Sequence, residues 1–336
     1  MNNEPIPIDA AAIESPLAGP VLARDADASY WMARYVERAE HVARLLLVNS
    51  EALIDVGDVA APLLQQHWQS VLQIMNVESI PDGDDPYSLR ITEELTFNTN
   101  SPNSLISCLT RARENARGIR EVISSEMWEH LNLLYWTIRS TETRTAFEES
   151  PDQLYRQIIN GSMLFQGLTD QTLIHGQRWH FTQLGKYFER ISVTCRILQA
   201  KYELLHGADV SADTPLSNLH WTTLLSSCGS IEAFRRTYSG ETDPLHVAQF
   251  LVLEKDFPRC IRYCAHQAYE AITAIRGIVR PHSVDPTERI LGRLDSQLEY
   301  AQPSELLEHG LPNYVGQIME NIAQAGISVL RSFFLH

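Results

Sequence analysis

From Ser29 onward the apolar positions step by four and three through Met32, Val36, Ala39, Ala43 and Leu46. That spacing lines one side of a helix, and Ser29 carries the side chain of an N-cap. The same steps recur through Leu184, Phe188, Ile191, Cys195 and Leu198, so the pattern predicts two long helices, each with one packing seam. Their sequences correspond as well. YWMARYVERAEHVARLL from Tyr30 and QLGKYFERISVTCRIL from Gln183 share Tyr35/Tyr187, Glu37/Glu189, Arg38/Arg190, Arg44/Arg196 and Leu46/Leu198 at one offset of 152, with Lys186 where Arg34 stands.

The correspondence continues downstream. Asp58-Val59 and His67-Trp68 are followed at offsets of 151 and 153 by Asp209-Val210 and His220-Trp221. The segment from Ile91 aligns with that from Val247 at an offset of 156, pairing Pro102 with Pro258, Cys108 with Cys264, Glu114 with Glu270 and Arg120 with Arg276. SPDQL at Ser150 and QPSEL at Gln302 close the unit. The expected architecture is all-α: a single helical body over 28–336, built by internal duplication of a multi-helix unit (halves about 28–176 and 180–333) with approximate twofold pseudo-symmetry. Pro102 and Pro258 are placed in the first turns of long helices, with Ser101 as a cap for the first. Ser124, Ser125 and Glu126 read as a helix restart, and Pro281 and Pro286 break the second half at a comparable place. The segment from Tyr314 to Phe334 reads as a core helix, with a membrane-surface helix as the alternative. Residues 1–27, rich in Ala, Pro and Asp and without a stripe, read as a flexible tail.

Composition supports this picture and narrows the chemistry. With 44% hydrophobic residues in 336, the chain has enough apolar surface for a substantial core, and its 16 glycines and 16 prolines cluster between the periodic segments. A formal net charge of −15 argues against a general nucleic-acid binder, whose affinity comes from Lys and Arg on phosphates. Five cysteines without a framework of close spacings suit a reduced compartment. Glu4 and Asp9 stand where an export signal needs basic residues, and no run approaches the roughly 20 apolar residues of a membrane span, so a cytoplasmic protein is expected.

On a helical wheel Trp31, Tyr35, Arg38, Val42 and Leu45 form a second stripe, so Arg38 lies among apolar neighbours and needs acceptors. Arg190 has the same setting between Tyr187 and Thr194. Glu37 and Glu189 lie about 100° round from their adjacent arginines, too far to pair with them within one helix. The repeat suggests a crossed arrangement instead, Arg38 with Glu189 and Arg190 with Glu37. Two readings stay open at this point: a structural ion-pair network, or a polar cleft in which Arg38 and Arg190 hold a carboxylate or phosphate and Glu37 and Glu189 handle a proton or an amine. Arg113, Arg117 and Arg120 share one helix face and form a second candidate anion site, with a solvated face as its alternative.

Other chemistry has less support. Glu203 and His206 make a lone E-x-x-H, whereas a four-helix di-iron site needs two such motifs and two further glutamates. Cys260 and Cys264 read as small buried thiols rather than metal ligands, and His67 and His220 as half-buried anchors. No metal site is expected. No Walker loop and no G-x-G-x-x-G after a strand is present, so no intrinsic cofactor is expected and ATP would be bound by a partner.

YWMARYVERAEHVARLL, ARENARGIREVISSEMWEHLN, GQRWHFTQLGKYFER and FPRCIRYC together resemble the bacterial alpha-E domain proteins, an all-helical family with a Glu-Arg motif, from about Ala28 to the C-terminus. The resemblance implies a setting beside a circularly permuted ATP-grasp protein, often with a transglutaminase-like protein nearby, and hence a part in forming peptide or peptide-like amide bonds. It marks Glu37-Arg38 and Glu189-Arg190 as the signature pairs. On this basis the chain is expected to bind substrate or assist the ligase through those pairs, with a non-catalytic scaffold or regulatory partner as the alternative reading. An independent hydrolase lacks a Ser/His/Asp or metal constellation.

Overall fold

A computed structural model describes residues 21–56, 61–80, 82–207, 215–238, 242–279, 285–308 and 310–335. Every regular element among them is helical. In chain order these are α1 (Ala23–Val56), α2 (Ala61–Ile74), α3 (Tyr87–Phe97), α4 (Leu105–Gly118), α5 (Ser125–Arg139), α6 (Thr141–Glu149) and α7 (Pro151–Thr172). They continue as α8 (Gln177–Gly207), α9 (Pro215–Ser227), α10 (Ile231–Thr237), α11 (Pro244–Leu253), α12 (Ile261–Val279), α13 (Pro286–Tyr300), α14 (Pro303–Glu308) and α15 (Leu311–Val329). A π-type turn over Leu330–Phe334 ends the fold.

The two long helices of the sequence pattern, α1 and α8, form the centre and pack most extensively against each other. Around α1 lie α4 and α7, and around α8 lie α12 and α15. The expected seams are buried on both helices: Met32, Val36, Ala39, Ala43 and Leu46 on one, Leu184, Phe188, Ile191, Cys195 and Leu198 on the other. One apolar cluster runs from Ala26 to Val329, with a smaller one of α1, α4, α5 and α7 residues beside it.

α1 starts six residues before Ser29. Asp25 sits in its first turn, near the positive end of the helix dipole, and the Ser29 hydroxyl donates to the Asp25 carbonyl at 2.7 Å inside the helix instead of capping it. The Val21 N–H donates to Gln177 Oε1 at 2.7 Å, tying this start to the start of α8. The tail expected over 1–27 is therefore helical from Ala23, and 1–20 lie outside the described residues, as do 58–59, 209–210 and Pro281. The Ser124 cap holds: its hydroxyl accepts from the Met127 N–H at 3.2 Å. Pro102 and Pro258, in contrast, each lie in a turn three residues before their helix, and Ser104 rather than Ser101 caps α4. Outside the helix, the Pro258 carbonyl is free to accept a side-chain bond from α8. α15 is a core helix, with Tyr314, Val315, Ile318, Ile322, Ala325 and Val329 buried. No described helix is long and apolar enough to cross a membrane.

α1 and α8 come into close backbone contact at Gly185, where a Cβ would stand 2.2 Å from the Tyr30 carbonyl oxygen. Because that obstacle is backbone, Gly185→Ala must push the two central helices apart. We predict a loss of about 3 kcal/mol in urea unfolding, the upper end of the range for overpacking. Gly167→Ala, on α7 with nothing within 4 Å of a new Cβ, should leave stability unchanged or slightly raised.

Candidate functional site

The Glu-Arg pairs are crossed between the central helices. Arg38 donates from Nε to Glu189 Oε1 at 2.6 Å and from Nη2 to Oε2 at 2.9 Å. Arg190 donates to the two oxygens of Glu37 at 2.6 and 3.2 Å. Both are bidentate pairs, in which a planar fork matches a carboxylate. Neither glutamate is exposed to solvent at all. Burial alone would raise the Glu189 carboxyl, but the guanidinium groups of Arg38 and Arg34 outweigh it and hold it below the usual carboxylate range. Glu37 is lowered in the same way, burial opposing and Arg190 prevailing. Two turns supply the remaining acceptors. Arg38 Nη1 donates to Asn103 Oδ1 at 3.1 Å, and Arg190 Nη1 to the Pro258 carbonyl at 3.0 Å.

Around Glu189 positive charge is in excess. Arg34 Nε donates to Glu189 Oε2 at 2.9 Å, and its Nη1 donates to the Tyr30 hydroxyl at 3.0 Å. Arg196 comes no nearer than 3.9 Å to the same carboxylate, and its bonds run to the carbonyls of Ile74 (2.8 Å) and Ser192 (3.3 Å). Three guanidinium groups thus face one carboxylate. Burial, then repulsion from Arg38 and Arg34, lowers the Arg196 pKa despite Glu189. These groups open onto a cavity of about 470 Å³ whose polar lining is formed by Arg34, Arg38, Arg196, Asn76, Asn103 and Ser192. Its apolar lining comes from Met319, Ile322 and Ile327 of α15 and Leu330 and Phe334 of the turn that follows. Asn76, with φ of 52°, stops α2 in a left-handed turn that asparagine tolerates, which leaves the carbonyls of Ile74 and Met75 to accept from Arg196 and Asn103.

The Glu37 side is balanced differently. Gln166 Nε2 donates to Glu37 Oε2, and a second buried carboxylate, Glu40, accepts from Arg44 Nε at 3.0 Å and from Arg259 Nη2 at 2.7 Å. Glu37, Glu40 and His41 lie close enough to hold a cation, but their carboxylate oxygens are already taken by guanidinium and amide donors. Lys186, beside Arg190, is pushed down to about 8 by burial and then by that neighbour.

Sequence reasoning paired Arg38 with Glu189 and Arg190 with Glu37 across the two helices, and both pairs are present. Only Arg38 of them lines the cavity. Arg113 and Arg117 lie elsewhere: Arg113 donates to Asn132 Oδ1 at 2.8 Å and stacks on Tyr135, and the exposed Arg117 pairs with Glu114 at 3.3 Å. Arg34, Arg196, Asn76, Asn103 and Ser192 were missed. Arg196 had a signal, its match to Arg44 in the repeat; Asn76 and Asn103, on turns, had none. Cys260 and Cys264 are buried thiols bonded to the carbonyls of Phe250 and Pro258, and burial pushes Cys264 up to about 12. The side chains of Glu203 and His206 lie outside the described residues.

His67 and His220 are buried rather than half-buried, and they meet Nε2 to Nε2 at 2.9 Å. Lys201, fully buried, donates to His67 Nδ1 at 3.2 Å. His67 then carries its proton on Nε2 and donates to His220, whose Nδ1 has no partner among the described residues. Burial pushes Lys201 down to about 7 from 10.5. Its charge penalty is therefore full below about pH 7 and fades towards pH 10, as the unfolded chain alone keeps the proton. Lys201→Met should gain more than about 1 kcal/mol on wild type between pH 10 and pH 6, measured by urea unfolding at both.

The chain belongs to the Alpha-E family, described as a predicted alpha-helical domain with a conserved ER motif, which matches residues 21–334. Uncharacterized proteins of Mycobacterium bovis and Mycobacterium tuberculosis are 22% identical to it over 312 residues, covering 88% of this chain and 34% of each relative. The chain therefore spans about a third of the length of the curated relatives it matches. No solved structure matches it.

The lowered carboxylates set the response to acid. The unfolded chain, with glutamates near 4.5, takes up protons before the folded protein does, so this stabilisation is complete above about pH 5 and is lost as pH falls below it. Glu189→Gln leaves its three arginines without a buried counter-charge and should cost about 3–5 kcal/mol at pH 7 in urea unfolding. The same variant should show a shallower loss of stability between pH 5 and pH 3 than wild type.

Proposed function

We propose that this protein is the helical, substrate-binding component of an ATP-grasp-associated system that forms peptide or peptide-like amide bonds. The observation that carries this reading is a cavity lined by Arg34, Arg38 and Arg196, three guanidinium groups clustered about the single buried carboxylate of Glu189, together with apolar side chains. Such a site suits an anion attached to an apolar body, and ATP-grasp ligases act on carboxylates through acyl phosphates. Glu37 and Glu189 work through the arginines they hold. Carboxylates held so far into their ionised form are weak proton acceptors at neutral pH. ATP would come from the partner, in the cytoplasm, and a transglutaminase-like protein is a further partner in the same setting.

The reading includes descent from two copies, about 28–176 and 180–333, facing each other across an approximate twofold axis. It is supported by the reciprocal Arg38–Glu189 and Arg190–Glu37 pairs and by the direct meeting of His67 and His220. A second reading, a scaffold that only docks and regulates the ligase, is favoured by Leu133 and Trp136, exposed one turn apart on α5.

Co-expression with a circularly permuted ATP-grasp protein, followed by mass spectrometry of ATP-dependent condensation products, separates the two. Arg34→Gln and Arg196→Gln should retain the complex and cut product at least tenfold, whereas Trp136→Ala should leave product unchanged. Loss of association with Trp136→Ala and full product from both arginine variants would instead support the scaffold.

A further inference from the structure

The repeat in the sequence sets Ser192 opposite Glu40 and Arg196 opposite Arg44, both at the offset of 152, and Asn103 opposite Arg259 at the offset of 156. In the Glu37 cluster Glu40 is buried and bridges Arg44 and Arg259. In the Glu189 cluster that second carboxylate is missing. The Ser192 hydroxyl donates to the Phe188 carbonyl at 2.8 Å, and Arg196 has no carboxylate oxygen nearer than 3.9 Å among the described residues. Asn103, in the place of Arg259, is itself engaged in fixing Arg38. Ser192, Arg196 and Asn103 all line the cavity.

We propose that the cavity binds a small molecule bearing a single carboxylate on an apolar group, and that this carboxylate takes on Arg196 the place that Glu40 takes on Arg44. The inference rests on reading the cavity as the ligand site and adds what the ligand is. Three considerations favour a monocarboxylate. In the Glu37 cluster Arg44 has the carboxylate of Glu40 at hydrogen-bond distance, whereas Arg196 comes no nearer than 3.9 Å to any carboxylate oxygen among the described residues, so one added carboxylate supplies the partner its counterpart already has. Arg196 Nη2, the nitrogen that on Arg44 donates to Glu40, has no hydrogen-bond acceptor among the described residues, since Nε and Nη1 are taken by the Ser192 and Ile74 carbonyls, and a charge-assisted bond to a carboxylate oxygen would satisfy it. The wall of Met319, Ile322, Ile327, Leu330 and Phe334 has no use for a bare inorganic anion, and about 470 Å³ is the volume of a site for a molecule the size of an acylated amino acid.

Calorimetric titration of the full chain with N-acetyl-L-phenylalanine, its neutral amide and inorganic phosphate tests the assignment, alongside melting curves of Ser192→Glu and Ser192→Gln. The acid should bind saturably and at least tenfold more tightly than the amide or phosphate, and Arg196→Gln should remove that preference. Ser192→Glu should place a side-chain carboxylate in the vacant position, raise the melting temperature by several degrees over Ser192→Gln, and abolish binding of the acid. Preference for phosphate would discard the carboxylate while keeping the cavity as a ligand site. Equal binding of acid and amide, or a Ser192→Glu variant no more stable than Ser192→Gln, would overturn the proposal. If, in addition, Arg196→Gln left product formation by the ligase complex intact, the cavity reading would fall with it.

Discussion

The exchange of carboxylates between the two central helices is the constraint on which the rest of the structure depends. Each of α1 and α8 carries a Glu-Arg step, and each arginine is bonded to the glutamate of the other helix. Ionised groups this deep are tolerated only in pairs, because an unpaired buried charge costs several kcal/mol or more. The pairing therefore fixes the register of α1 against α8. A slide by one residue would break both bidentate pairs at once, and Gly185 lets the backbones come close enough for the forks to reach. Such pairs are weak as sources of net stability but strict about geometry. What they specify is which faces of the helices meet.

That register also explains why the two glutamate clusters differ in what they offer. On one side Glu40 and Gln166 complete the network around Glu37, and every carboxylate oxygen there has a donor, from α7 and α8 for Glu37 and from Arg44 of α1 and Arg259 of the turn before α12 for Glu40. On the other side Ser192 stands in the corresponding register, and the space is open and lined by arginine. A cluster held together for structural reasons thus leaves, at one end only, a surplus of donors facing a cavity. α15 and the final turn together supply the apolar lining of that cavity, so the site depends in part on the docking of Phe334 beside Tyr30.

The helical character, the two seams and the crossed pairs were legible in the sequence because each rests on a local period combined with a repeat. Apolar steps of four and three gave the buried faces, and an arginine placed among apolar neighbours required a distant acceptor. The start of α1 was misplaced because Ser29 has the chemistry of a cap, whereas the chain upstream already pairs Val21 with Gln177, 156 residues away. The cavity was not legible. Asn76, Asn103 and the residues of α15 converge on it from turns and from the far end of the chain, and no spacing records that meeting. Arg113 and Arg117 were noticed from a periodic basic stripe, but spacing did not record their partners, Asn132 and Tyr135 on α5 and Glu114 beside them.

The most direct test of the crossed pairing is a pair of double-mutant cycles in urea, one on Arg38 with Glu189 and one on Arg38 with its sequence neighbour Glu37. The crossed arrangement predicts a coupling of about 2–3 kcal/mol for Arg38 with Glu189 and less than about 0.5 kcal/mol for Arg38 with Glu37. A large coupling between the sequence neighbours, with none between the two helices, would contradict it.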